Sequence, residues 1–310
     1  MARVYHFPDQ VHFRWDPRLD PVLTVEDGDT VVFELRDVTD GQISPTSTAE
    51  ILAELDWDRV YALAGPIAVA QAQPGDTVEI EVVDLHTRGW GWTGTIPGFG
   101  LLADEFGDPH LHIWDLSDGQ TAPFADIATI PVRPFCGTMG VCPDTAEPLA
   151  VMPPGHFGGN IDCRDLVRGA RLFLPVQVPG AYFSVGDPHA AQGDGEVCVT
   201  AIECPMWASL RFRLHRGRSI PAPQFQTPGP LRAGIGDAGY HATMGVATDL
   251  MTAARDATRA MVDHISHTYR IEPVDAYVLS SVVVDLKLTE VVDAPRWIVS
   301  AYLPLSIFDR

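Results

Sequence analysis

Apolar residues in this chain fall mostly in short runs broken by Gly, Pro and Asp, the pattern of strands and turns. Two early segments repeat one design. Residues 20–34 read as strand, Gly-Asp turn and strand, with Leu23, Val25, Val31 and Phe33 as apolar positions. Residues 65–82 do the same around Pro74-Gly75-Asp76, with Ile67, Val69, Val78, Ile80 and Val82. Each is predicted to be a β-hairpin of a sandwich or barrel. Each runs on to a carboxylate near a strand end, Glu34 or Asp37 in the first and Asp84 in the second. Segments 172–177, 181–185 and 197–203 read as buried strands, and 210–214 alternates as a half-exposed strand does.

One helical stretch stands out, near 241–268, where Leu250, Met251, Ala254, Ala257, Met261 and Ile265 recur at spacings of three and four. Its stripe reads as core. His264 and His267 lie at its C-terminal end, where the helix dipole favours imidazole, so they need not be a metal pair. Segments 276–288 and 297–304 read as strands returning to the sheets. The fold class is therefore mainly β, a β-sandwich with a helical segment near 241–268. No sharp linker divides the chain, so 1–310 is read as one unit, any subdivision being two β-rich lobes of about 1–125 and 126–310.

Composition narrows the partners. The 310 residues include 46% hydrophobic and 20% charged positions, ample for a core. Asp+Glu number 41 against 21 Lys+Arg, a formal charge of -20, which disfavours nucleic acid and acidic membrane surfaces. Only one basic residue, Lys287, is a lysine, so any lysine-based amide chemistry has a single candidate. The five cysteines, Cys136, Cys142, Cys163, Cys198 and Cys204, include no C-x-x-C pair. With no apolar signal core at the start and no run long enough to span a bilayer, the reading is a soluble, reduced, cytoplasmic protein.

The densest polar cluster is 186–196, Gly-Asp-Pro-His-Ala-Ala-Gln-Gly-Asp-Gly-Glu, between two apolar segments. In extended backbone, residues two apart point the same way, so Asp187 with His189, and Asp194 with Glu196, each aim at one point. Asp, His and Glu are all ligands for divalent ions. The plain alternative is a hydrated turn. A second cluster, 153–162, places Asn160 and Asp162 two apart after Gly158-Gly159; Asp108-Pro109-His110-Leu111-His112 offers another same-side pair. Taken alone, both read as an ordinary turn and a surface strand. The Gly- and Trp-rich stretch 87–107 reads equally as pocket lining or packed loop. Nucleophiles fare worse: Ser184 lacks the first glycine of a G-x-S-x-G elbow, and Cys198 and Cys204 read as core. Water attack remains, and a metal ion is the usual way to supply hydroxide near neutral pH.

At this point the chain resembles the acetamidase/formamidase family, essentially over its whole length. The likeness is carried by Gly186-Asp187 with His189 to Glu203 (HAAQGDGEVCVTAIE), by Gly158-Gly159-Asn160-Ile161-Asp162, and by Pro134-Phe135-Cys136-Gly137-Thr138-Met139-Gly140-Val141. Trp90 to Gly100 and Asp285 to Asp293 add to it. The resemblance implies hydrolysis of the C–N bond of short linear amides, a CUB-like β-rich sandwich, a homo-oligomer, and a divalent metal, with zinc expected and calcium as a structural ion. It makes Asp162, Asp187 and His189 the leading ligands, with Glu34 and Asp84 as additions. Glu196 or Asp194 is then the general base. Backbone N–H groups near Gly193 and Gly195 would face the oxyanion. Trp90, Trp92, Phe99, Asn160 and Gln192 would shape the substrate pocket. Two departures stand out: Phe157 where the family usually has His before Gly-Gly-Asn, with His156 one place earlier, and Arg296 where Asn is common. The competing readings are a larger, cyclic or N-substituted amide, and a non-catalytic binding module around structural calcium. Calcium prefers oxygen ligands, and His189 in the cluster argues against it.

Overall fold

The computed structural model describes residues 2–229, 238–292 and 294–308. Two six-stranded sheets face each other. The first runs Val4–His6, Thr30–Leu35, Met206–His215, Thr77–Thr87, Arg171–Pro175, Gln224–Gln226. The second runs Gly158–Asn160, Phe135–Gly140, Phe183–His189, Leu63–Val69, Val11–His12, with Leu23–Val25 in parallel beside Leu63–Val69. Val31, Phe33, Ile80, Leu172, Leu210 and Phe212 from one sheet share a core with Ile67, Met139, Phe183 and Val185 from the other. Phe183 meets Phe212 edge-on, with ring centroids 5.2 Å apart. Strands from before and after residue 125 share both sheets: interleaved in the first, and in the second as adjoining blocks that meet where Phe183–His189 pairs with Leu63–Val69. The mainly β expectation holds, and Met206–His215 alternates buried and open positions along its first eight residues.

The repeated segments are not hairpins. Leu23–Val25 and Leu63–Val69 lie in the second sheet, while Thr30–Leu35 and Thr77–Thr87 lie in the first. Each turn carries the chain from one sheet to the other, and the two turns match atom for atom. Asp29 Oδ2 accepts from Glu26 N at 3.0 Å, and Asp76 Oδ2 accepts from Gln73 N at 3.0 Å. Alternation reports a strand but not the sheet it joins, so sequence alone could not separate the two outcomes.

The C-terminal part also departs from expectation. Residues 240–247 form a strand, and helix α1 spans Leu250–Tyr269, capped by Asp249, whose side chain accepts from Thr252 N at 2.9 Å. A second helix, α2, spans Pro273–Val283, where a strand was predicted. Every residue from Ala276 to Val283 is buried, so no polar face marks it as helical. Tyr240–Ala247, Trp297–Pro304 and Asp285–Glu290 form a three-stranded sheet under α1. Gly245 lies so close beneath the helix that a Cβ there would stand 1.9 Å from Ala253 O.

Segment 197–203 is buried but irregular rather than a strand. Buried backbone without a ladder must find partners elsewhere, and α2 supplies them. Tyr277 donates its hydroxyl to Val197 O. Ser281 Oγ donates to Thr200 O at 2.7 Å and accepts from Cys198 N at 3.1 Å. Gly193 N donates to Ser281 O at 2.8 Å, and Leu286 N to Asp194 O at 2.9 Å. The loop 193–200 is thus latched by the end of the chain. Among the described residues no helix is long and apolar enough to cross a membrane. All five cysteines are free thiols.

Candidate active site

The site forms where three neighbouring strands of the second sheet end. Gly158–Asn160, Phe135–Gly140 and Phe183–His189 pair side by side, and they deliver Asp162, Gly137, Thr138, Asp187 and His189 to one place. Gly137 opens the space: a Cβ there would lie 2.5 Å from Asp162 Oδ1 and 2.9 Å from both Asp187 O and His189 Cε1. Glu196 enters from the latched loop. Glu203 enters by bridges to both His189 and Trp92.

The ligand-type atoms crowd together. Asp162, His189 and Glu196 form one group, and Asp187, His189 and Glu203 another, each with its donor atoms within 4.8 Å of one another. His189 Nε2 lies 3.2 Å from Asp187 Oδ1 and 3.1 Å from Glu203 Oε2. Its Nδ1 lies 2.9 Å from Gln192 Oε1, and Gln192 Nε2 donates to Asp162 O at 2.9 Å. With Gln192 taking the Nδ1 proton, Nε2 is the ring nitrogen aimed at the carboxylates. Thr138 Oγ1 donates to Asn160 Oδ1 at 2.7 Å and to Asp187 Oδ2 at 3.3 Å. Glu203 Oε1 accepts from Ala201 N at 2.9 Å.

Four carboxylates around one imidazole cannot all stay ionised in a buried site without further positive charge. Burial, with the neighbouring Asp187 charge, pushes Asp162 up to about 7. Glu203 is pushed up to about 7 chiefly by burial, and Glu196 well above its ordinary value by burial and Asp162. Burial alone would lower His189, but Glu203 and Asp187 outweigh it and hold the imidazolium. Buried Asp162 Oδ1 receives no hydrogen bond, and Glu203 Oε2 is met only by His189 Nε2 at 3.1 Å. Carboxylates gathered around an imidazole are residue types that could hold a divalent cation.

Backbone strain concentrates here. Asp162, Asp187 and Glu196 have φ of 42°, 53° and 42°, and Tyr61 and Val199 on the cavity wall have 65° and 79°. Such conformations cost of order 1–3 kcal/mol each and persist only where the surroundings enforce them. Asp187 and His189 therefore converge, but not through the extended backbone assumed from their spacing.

A cavity opens beside the cluster, lined by Tyr61, Trp92, Ile96, Phe99, Asn160 and Val199 together with Asp162, Asp187, Glu196 and Glu203. It offers ≈ 40 Å³ to the centres of water-sized molecules. One water needs roughly 10–15 Å³ on that measure, so the space suits a molecule of a few heavy atoms. Trp92 is fixed by its indole N–H, which donates to buried Asp37 at 3.0 Å, and Phe99 stacks on Trp57 at 5.2 Å.

The predicted residues divide accordingly. Asp162, Asp187, His189, Glu196, Trp92, Phe99 and Asn160 meet at the site. Gln192 lies behind His189 rather than on the cavity wall, and Trp90 packs in the neighbouring apolar cluster. Asp194 is half exposed and faces Arg164 at 3.7 Å. Glu34 pairs with Arg88, and Asp84 with His86 at 2.8 Å, both away from the cluster. Gly193 N–H is spent on Ser281 O. Phe157 packs edge-on against Trp15 at 5.3 Å, away from the cavity, and His156 and Arg296 are exposed. His110 pairs with Asp275 at 2.9 Å, and His264 stacks on His241 at 3.5 Å, so neither histidine pair forms a ligand cluster. Glu203, Tyr61 and Thr138 were missed. The signal for Glu203 was a carboxylate closing an otherwise apolar buried segment.

The sequence profile of the Acetamidase/Formamidase family matches residues 3–149 and 144–310. The chain belongs to the acetamidase/formamidase family. It is accordingly an amidohydrolase acting on carbon–nitrogen bonds. A formamidase of Methylophilus methylotrophus is 26% identical, aligned over 97% of this chain and 90% of its own. An acetamidase of Mycolicibacterium smegmatis is 31% identical over 66% of each. Among solved structures, a γ-lactamase from Delftia acidovorans superposes with a TM-score of 0.92 at 27% identity, covering 100% of this chain and 94% of that one. An acetamidase from Bacillus halodurans gives 0.68 at 28% identity, covering 98% of both. In this chain Phe157 packs on Trp15, whose buried indole N–H has no acceptor, and does not line the cavity.

Proposed function

We propose that the protein hydrolyses short linear amides, formamide and acetamide among them, to a carboxylate and ammonia, with a divalent cation resident in the carboxylate–imidazole cluster. The observation that carries this reading is a ring of acids around His189, with buried Asp162 Oδ1 left without a hydrogen bond, beside a cavity of a few heavy atoms. Asp162, Asp187, His189 and Glu203 offer the donors, and an imidazole among carboxylates suits zinc better than calcium. Such an ion, when bound, supplies Lewis-acid polarisation of a carbonyl and a more acidic water.

The chain's own groups do the rest. Trp92 and Phe99 restrict the acyl group and exclude bulk water from the reacting carbon. Gln192 holds His189 in one tautomer. Glu196 reaches the cavity, whereas Asp194 turns towards Arg164, so Glu196 is the base. Its carboxylate accepts a proton from the attacking water and delivers it to the departing nitrogen, since an amide nitrogen leaves poorly without one. The test is ammonia release from formamide, acetamide, propionamide and butyramide, before and after chelation, with elemental analysis of the untreated protein. γ-Butyrolactam is tested beside them because the γ-lactamase is so similar in structure, read as the amino acid formed, since ring opening releases no ammonia. Activity confined to the smallest amides and abolished by chelator is expected. Chelator-resistant turnover, or preference for the lactam, would overturn the corresponding part.

A further inference from the structure

A carbonyl oxygen that gathers negative charge needs a hydrogen-bond donor, and most donors on the cavity wall are already spent. Thr39 donates to Asp37 at 2.6 Å, Trp92 to Asp37 at 3.0 Å, and Thr200 to Gly94 O at 2.9 Å. Carboxylates, once ionised, only accept. Among the described residues lining the cavity, the side-chain donors that remain are Tyr61 Oη, Asn160 Nδ2 and the indole of Trp57. Trp57 stands at the rim, 45% exposed. Tyr61 is different in kind. It lines the same cavity wall as Asp162, Asp187, Glu196 and Glu203, and among the described residues no hydrogen bond within the chain occupies its hydroxyl.

A second, independent observation concerns its backbone. Tyr61 takes φ of 65°, a conformation bulky side chains rarely adopt, and is held there by its N–H donating to Val38 O at 2.7 Å. It stands just before strand Leu63–Val69, so an ordinary β conformation was available to the sequence. At this left-handed position Tyr61 lies on the cavity wall.

We propose that Tyr61 is a catalytic residue: its hydroxyl donates a hydrogen bond to the substrate carbonyl oxygen and holds the charge that develops there. This rests on the amide-hydrolysis reading above. As water adds to the carbonyl carbon, the C=O π pair moves onto oxygen, and the phenol keeps its proton throughout. When that pair returns, the C–N bond breaks, and ammonia leaves with the proton carried by Glu196.

The experiment compares Tyr61→Phe with the unmodified holoenzyme on the best substrate of the panel. Loss of one oxyanion donor lowers kcat by about 10²–10³-fold. KM, metal content and melting temperature should barely move, because the ring is retained. A second measurement needs no turnover: methanesulfonamide, a tetrahedral mimic, is titrated against tryptophan fluorescence, and Tyr61→Phe should bind it at least ten-fold more weakly. Equal kcat and equal mimic affinity in the variant would overturn the assignment to Tyr61. An unmodified protein that neither hydrolyses nor binds any of these molecules would instead overturn the amide reading, and the assignment with it.

Discussion

Gly137→Ala tests the site geometry most directly. Gly137 has an ordinary φ, so alanine is allowed by the backbone, and any effect comes from the added methyl. That methyl would lie 2.5 Å from Asp162 Oδ1 and 2.9 Å from both Asp187 O and His189 Cε1, all on buried or strand-held atoms. To restore ordinary contact at 3.4 Å, Asp162 Oδ1 must retreat by about 0.9 Å. Metal ligands tolerate roughly 0.2 Å, and a 1 Å misplacement at a reacting centre costs about 100-fold in rate. Overpacking itself costs about 1–3 kcal/mol, a shift of only several degrees in melting temperature for a protein of this size. The expected result is ammonia release reduced at least about 100-fold, bound metal well below that of the unmodified protein, and a fold that still melts cooperatively. Full activity with full metal content would show that Gly137 does not hold Asp162, Asp187 and His189 against one another.

Other outcomes follow from the same cluster. Glu203→Gln should cut metal retention by at least about ten-fold, as elemental analysis after dialysis would read, whereas Glu34→Gln and Asp84→Asn, in surface ion pairs, should leave turnover unchanged. For pH, Asp162 and Glu203 sit near 7 in the metal-free fold, above their ordinary 3.8 and 4.5. Between those values the folded state binds more protons than the unfolded one, so this pair's contribution to stability falls as pH rises from about 4 to about 7. A cation needs them ionised, so the melting-temperature gap between metal-loaded and chelated protein should widen from about pH 5 to about pH 8; a constant gap would refute the coupling.

Much of this arrangement was legible in the sequence, but unevenly. The alternation in 210–214 and the apolar runs of the two repeated turns reported real strands. They could not report sheet membership, because a turn that crosses between sheets reads like one that folds a hairpin. Helix α2 was hidden because Ala276 to Val283 is buried on every side, which erases the amphipathic period. Asp187 and His189 were found through their spacing, although the strand bends through a left-handed residue to bring them together. Glu34 and Asp84 occupied matching places in the repeat, yet only the first sheet's exposure reveals that they face Arg88 and His86. Tyr61 carries no motif at all. Its place follows from a backbone conformation that composition and spacing do not encode.

The latch of α2 onto residues 193–200 ties the placement of Glu196 to the C-terminal part of the fold. Asp162, Asp187, His189 and Glu203 leave the ribosome well before Tyr277, Ser281 and Leu286 do. Without those late residues, the loop that carries Glu196 keeps its contacts to Gly94 and Leu101 but loses the ones that α2 makes. A variant that loses the α2 contacts is therefore expected to keep Asp162, Asp187, His189 and Glu203 on their strands while Glu196 loses its place beside them.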